Sequence, residues 1–240
     1  GVEAHTHEFV RTGQDDSKFG FTVSSGAADA AITRMLASEA FELHGIHAHI
    51  GSQVFRVESF SDALVVIADF ARRYTLPELV VGGGLGVAYV EGEQAPTIEE
   101  WARVLHKAAD EVGVAGSLAV EPGRSIVAAA AVTVYTIGTV KRIPGVRTYV
   151  AVDGGMSDNP RPVLYGSGYE TFLPARADDP RTERIRLVGK HCESGDLLVR
   201  DGRLPDGFGV GDLVATPVTG VYGHSMGSNY NKVLRPAVVF

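Results

Sequence analysis

Glu78-Leu79-Val80-Val81 runs directly into Gly82-Gly83-Gly84-Leu85-Gly86, and this passage decides the fold. A short apolar run stopped by glycines reads as a buried strand whose far end opens into a tight loop. Its surroundings repeat the unit. Upstream, helical spacing predicts a helix over 27–41, behind the capping candidates Ser24-Ser25-Gly26, then a strand over 45–50. A second helix is predicted over about 60–74, broken by Leu76-Pro77, and a third over 98–112, followed by the strand Leu118-Ala119-Val120. Strand and helix alternating roughly every 35 residues is the signature of right-handed βαβ crossovers and a parallel sheet. Such a sheet is either open and doubly wound or closed as a (β/α)8 barrel.

The strand ends separate these closures. Four finish in polar or glycine-rich clusters: His5-Thr6-His7 after the run Val2–His5, His49-Ile50-Gly51-Ser52-Gln53, Gly82 to Gly86, and Glu121-Pro122-Gly123-Arg124. An open sheet concentrates its chemistry at one switch point, whereas a barrel gathers it from the carboxyl ends of several strands. Four loaded ends favour a barrel, of which residues 1–125 would hold roughly the C-terminal half. Beyond Arg124 the pattern changes to short β-rich runs separated by glycine–proline turns, at 132–137, 149–152, 184–188, 197–199 and 212–216, with no convincing amphipathic helix. Residues 126–240 are therefore expected to form an all-β domain, giving an α/β plus all-β chain. The alanine-rich stretch Ile126 to Ala131 reads as a further buried strand.

Composition excludes several function classes. Of the 240 residues 45% are hydrophobic and 21% charged, as in ordinary globular proteins. No run approaches the roughly 18 apolar residues of a membrane span. A formal net charge of −7 argues against a nucleic-acid partner. The single cysteine, Cys192, cannot form an internal disulfide, which fits a reducing cytoplasm. The chain begins at Gly1 without methionine and stops within the apolar run Val238-Val239-Phe240, so an internal fragment, with its β domain cut short, is expected.

Several residues carry candidate chemistry. The Gly82–Gly84 run either makes a tight turn or lets backbone N–H groups approach a phosphate. Glu121, placed by this reading at the end of a buried strand, needs a cation: either Arg124 or a ligand cation such as a protonated aromatic ring nitrogen. His49, at another strand end, is either a structural histidine or a flat face for such a ring. In the β half, Arg161 with Tyr165 is either a solvated loop pair or a carboxylate-binding fork. Cys192, beside Glu193, is either an inert small side chain, as most single cysteines are, or a proton donor, since a neighbouring carboxylate favours the protonated thiol. Tyr222 sits in a polar loop of the kind that is common without function.

Taken in order, Lys18-Phe19-Gly20, the 47–53 segment, the triple glycine, Glu121-Pro122-Gly123-Arg124, Asp153-Gly154-Gly155-Met156, Asn159-Pro160-Arg161-Pro162 with Tyr165-Gly166, the 189–196 segment and Tyr222 resemble the alanine-racemase-like, fold-type III pyridoxal-phosphate-dependent decarboxylases from end to end. Within that family the resemblance is strongest to the branch acting on meso-2,6-diaminopimelate. It implies pyridoxal 5'-phosphate as cofactor, held by Ser52, Gly83, Gly84, Gly123, Arg124 and Tyr222, with His49 stacked on the ring and Glu121 on the pyridine nitrogen. It implies Arg124, Arg161, Tyr165, Glu193 and Tyr222 as substrate ligands and Cys192 as the donor of the final proton. It also implies a homodimer in which the 192–196 loop reaches the partner's site, and no metal. The family's cofactor-bonding lysine lies in a Tyr-Ala-x-Lys pattern that none of Lys18, Lys107, Lys141, Lys190 and Lys232 follows. The chain alone is accordingly expected to be inactive. Within the same family an ornithine, arginine or carboxynorspermidine decarboxylase is the alternative; from another class, a non-enzymatic pyridoxal-phosphate carrier.

Overall fold

The computed structural model describes residues 17–240. The run Val2–His5 and the cluster His5-Thr6-His7 lie outside the described residues. The chain divides into two units: the described residues up to Val87 with Gln94–Ser125, and Ala88–Glu93 with Ile126–Phe240.

The first unit alternates α1 (Ala27–Leu36), β1 (Gly45–His47), α2 (Glu58–Ala71), β2 (Glu78–Val80), α3 (Ile98–Val112) and β3 (Ser117–Ala119). The strands pair in parallel in the order β1-β2-β3, with Ile46 beside Leu79 and Leu79 beside Leu118. Parallel strands that follow chain order are what a (β/α)8 barrel requires, and the unit is a partial barrel of this kind. The strands are shorter than the sequence predicts, but pairing continues past β1, where the Ala48 amide donates to the Val80 carbonyl at 2.9 Å.

Helix ends follow from local chemistry. Thr97 caps α3, its hydroxyl accepting from the Glu100 amide at 3.0 Å, and Gly113 closes it at φ +65°. By contrast α1 follows Gly26, at φ +78° and with no side-chain cap, while the Ala28 amide donates to the Thr22 carbonyl; it ends at Leu36 rather than near Phe41. Phe41 is exposed, so burial does not extend the helix to it. Asp29 ties α1 to the end of α2, accepting from Tyr74 Oη at 2.6 Å and Arg73 Nη1 at 2.8 Å. The hydrogen bond from Tyr74, with Arg73 beside it, holds this carboxyl below the usual range.

The core of this unit lies between α2 and α3. Phe60, Leu64 and Ile67 recur at helical spacing and are buried, as are Trp101, Leu105 and Ala108 on α3. The Phe60 and Trp101 rings meet edge to face at 5.4 Å.

The second unit is built on β4 (Thr133–Ile143), β5 (Arg147–Val152), β6 (Glu183–Val188), β7 (Leu197–Leu204) and β8 (Leu213–Thr216), in the order β7-β6-β5-β4-β8. All neighbours are antiparallel except β5 and β6. Inward residues such as Ile137, Val150, Leu187 and Val214 are almost wholly buried. Two short helices position site candidates: α5 (Arg161–Tyr165), where the sequence suggested a loop, and α6 (Gly223–Met226), which Tyr222 directly precedes. Ile126 to Ala131 corrects the sequence reading. It forms the end of helix α4 (Arg124–Val127) and a 3-10 turn at Ala128–Ala130, not a strand. Alanine favours helical backbone. The carbonyls of Ala128 and Ala131 accept from the Gly220 and Thr219 amides rather than from a strand partner.

Leu64 is fully buried, while Val65 beside it is 44% exposed. Leu64→Ala should destabilise the fold by about 2–5 kcal/mol and Val65→Ala by less than about 0.5 kcal/mol, measured by denaturant unfolding of the full-length protein. Equal losses would contradict the assigned helix face.

Candidate active site

In the first unit the strand-end loops are drawn together by their backbones. The Val81 amide donates to the Ala119 carbonyl and the Glu121 amide to the Gly82 carbonyl at 2.8 Å, while the Val54 amide reaches Gly84 at 2.9 Å. This proximity explains the glycines. A Cβ on Gly83 would sit 2.2 Å from the Glu121 carbonyl oxygen, and one on Gly84, at φ +107°, 2.1 Å from that of Gly51. Gly123 has open space around its missing side chain.

The same loops gather polar groups. His49 is half-buried, its Nδ1 accepting from the Gly83 amide at 3.4 Å. Burial, reinforced by His47 and opposed by Glu121, lowers its pKa, so the ring is neutral at neutral pH. Arg124 is buried and donates to Ser52 Oγ at 2.7 Å. Glu121 differs from the sequence reading. Its side chain is 55% exposed and its partner is His47 Nε2 at 3.1 Å, not Arg124. An exposed carboxylate carries little desolvation penalty and does not need an internal cation. Gln53, assigned no role from sequence, clamps the Val87 backbone, donating to its carbonyl at 2.7 Å and accepting from its amide at 3.2 Å.

The second unit holds the other candidates. Arg161 is only 6% exposed, so it is not a solvated loop residue. Its Nε donates to Tyr169 Oη at 3.0 Å and one Nη to Ser167 Oγ at 3.2 Å. Its guanidinium carbon lies 5.1 Å from the ring centre of Tyr89 and 5.6 Å from those of Tyr165 and Tyr222. Among the described residues no carboxylate pairs with it. Tyr222 adopts φ +63°, a backbone state that is uncommon outside glycine and costs on the order of 1–2 kcal/mol.

Cys192 and Glu193 are exposed on a loop whose base is buried. Glu193 accepts a short hydrogen bond from Tyr230 Oη. The base is fixed by Asp196, 3% exposed, whose two carboxylate oxygens accept from the Met156 amide at 2.6 Å and the His191 amide at 2.7 Å. His191 Nε2 in turn meets Ser157 Oγ at 2.9 Å. Asp196 therefore joins the Asp153–Met156 loop to the 189–196 loop. Both motifs are visible in the sequence, but their mutual contact is not.

Two family descriptions match the chain: "Pyridoxal-dependent decarboxylase, pyridoxal binding domain" over residues 1–128 and "Pyridoxal-dependent decarboxylase, C-terminal sheet domain" over residues 65–220. The chain belongs to the pyridoxal-dependent decarboxylases. Similar curated relatives of this decarboxylase chain include the diaminopimelate decarboxylases of Synechocystis sp., 46% identical over 100% of this chain and 52% of the relative, and of Mycobacterium tuberculosis, 46% identical over 100% and 58%. Similar solved structures include diaminopimelate decarboxylase from Helicobacter pylori complexed with L-lysine (TM-score 0.85, 31% identity, 96% of this chain and 57% of that one). Another is the enzyme from M. jannaschii in co-complex with L-lysine (TM-score 0.85, 32% identity, 92% and 52%). The chain spans about half the length of the curated relatives it matches.

The cofactor of the family is pyridoxal phosphate, and the strand-end residues suit it. They offer a glycine cradle without side chains, a neutral imidazole face in His49 and an accessible carboxylate in Glu121. Among the described residues no helix is long and apolar enough to cross a membrane.

Because the folded pKa of His49 is lowered, the folded state binds fewer protons than the unfolded chain between that value and 6.5. The contribution of His49 to stability is therefore complete above pH 6.5 and falls as pH drops through that window. An NMR titration of His49 in the full-length protein should give a midpoint below 6.5; one at or above 6.5 would contradict its burial.

Proposed function

We propose that the full-length protein carrying this chain removes one carboxylate of meso-2,6-diaminopimelate to give L-lysine and CO2. Arg161 carries this reading: a buried guanidinium, surrounded by neutral partners, suits a ligand carboxylate. A carboxylate gripped by arginine is stabilised as an anion, which opposes its departure as CO2. Arg161 is therefore suited to the carboxylate that stays. Diaminopimelate has such a second carboxylate, which lysine retains, whereas ornithine and arginine have only the one that leaves. The relatives at 42–46% identity, named diaminopimelate decarboxylases, support the same choice.

The other roles are those that the resemblance implies. Pyridoxal phosphate supplies an electron sink for the bond that breaks. Gly83, Gly84, Gly123, Ser52, Arg124 and Tyr222 would hold its phosphate side, His49 would cover the ring, and Glu121 would keep the ring nitrogen protonated. Arg124, Tyr165, Glu193 and Tyr222 join Arg161 as substrate ligands. Cys192 gives its thiol proton to the carbon from which CO2 has departed. Its exposure, with that of Glu193, supports a homodimer in which this loop completes the partner's site. The single cysteine is consistent with cytoplasmic work.

The test supplies the full-length enzyme with meso-diaminopimelate or ornithine and follows CO2 release. Diaminopimelate should be turned over at least about a hundredfold faster; a preference for ornithine would overturn the substrate. In the same assay Cys192→Ala should lower kcat by about 100-fold or more with cofactor absorbance intact. Unchanged turnover would remove Cys192 from the mechanism.

A further inference from the structure

We infer that Tyr169 and Tyr89 are positioning residues that aim the Arg161 guanidinium and so set the preference for a ligand carrying a carboxylate. The inference rests on the reading of Arg161 given above. A guanidinium presents its donors in a rigid planar fork, so fixing one edge fixes the direction of the others. Tyr169, 3% exposed, accepts from Arg161 Nε, and Ser167 takes one Nη. Among the described residues no hydrogen bond is made by the remaining Nη.

The chemical identity of the anchor matters. A carboxylate at the position of Tyr169 would orient the fork equally well but would neutralise it. A phenol orients it and leaves the positive charge for a ligand. Burial raises the Tyr169 hydroxyl, which keeps it a neutral phenol.

Tyr89 supports the arrangement from the other side. Its ring meets that of Tyr169 edge to face at 5.2 Å and stands 5.1 Å from the guanidinium. It is delivered by Ala88–Glu93, which lies between β2 and α3 in sequence yet belongs to the second unit. That segment is pinned at several points. The Tyr89 amide donates to Glu93 at 2.8 Å and the Glu91 amide to Glu170 at 3.0 Å, while Arg181 bridges Glu170 at 3.1 Å and Glu91 at 3.7 Å. A six-residue strap thus places one ring against one guanidinium.

The experiment uses the full-length holoenzyme with Tyr169→Phe, Tyr89→Leu and Tyr89→Phe. It measures kcat and KM for meso-diaminopimelate and inhibition by L-lysine and by cadaverine, which is lysine without its carboxylate. Tyr169→Phe should raise KM and the lysine inhibition constant about tenfold, well beyond its effect on kcat, while cadaverine inhibition changes less than about twofold. Tyr89→Leu should act in the same direction, and Tyr89→Phe, which keeps the ring, should raise both constants less than Tyr89→Leu does. Equal weakening of lysine and cadaverine, or an unchanged KM, would overturn the inference. If Tyr169→Phe loses the cofactor's absorbance, the Tyr89 pair decides: Leu and Phe behaving alike overturns it. A wild type that ignores diaminopimelate overturns the substrate reading and this inference together, and is recognised before any variant is made.

Discussion

A buried guanidinium that has no carboxylate partner among the described residues is the most demanding feature of the β unit. Removing such a charge from water costs on the order of several kcal/mol. Tyr169 and Ser167 return part of this through hydrogen bonds, and the faces of Tyr89, Tyr165 and Tyr222 return a further part. The remaining cost is one that an anionic ligand would offset. The arrangement draws on three separate parts of the chain: the strap at Ala88–Glu93, the short helix α5 beginning at Arg161, and Tyr222 with its left-handed backbone.

A different constraint governs the barrel unit. Its strands are only three residues long, so the loops beyond them must carry much of the contact between neighbours. They do so through carbonyl-to-amide bonds at separations that exclude even a Cβ at Gly83 and Gly84. Packing alone therefore demands the glycine run, and the anion cradle comes as a consequence of it. His49 is held in the same knot by the Gly83 amide, where burial keeps its ring neutral.

Sequence reading succeeded where the signal was local and periodic. The helix predicted over 98–112 stands at Ile98–Val112, and its buried residues Trp101, Leu105 and Ala108 recur at helical spacing. It failed where alanine content was mistaken for a strand, because Ile126–Ala131 is equally apolar in either conformation and its partners lie about 90 residues away at Thr219 and Gly220. Among the site candidates, residue types were legible but surroundings were not. Glu121 was assigned a buried charge and is exposed beside His47; Arg161 had a bland surface reading and is buried. Tyr89, Tyr169 and Asp196 drew no role, since their importance lies in contacts across the chain that no short motif encodes.

The most direct measurement of the central claim is a crystal structure of the full-length protein with L-lysine bound. The account predicts a lysine carboxylate oxygen about 2.7–2.9 Å from an Arg161 Nη, with the Arg161 Nε bond to Tyr169 retained. A lysine carboxylate bound elsewhere, with Arg161 still contacting only Tyr169 and Ser167, would contradict it.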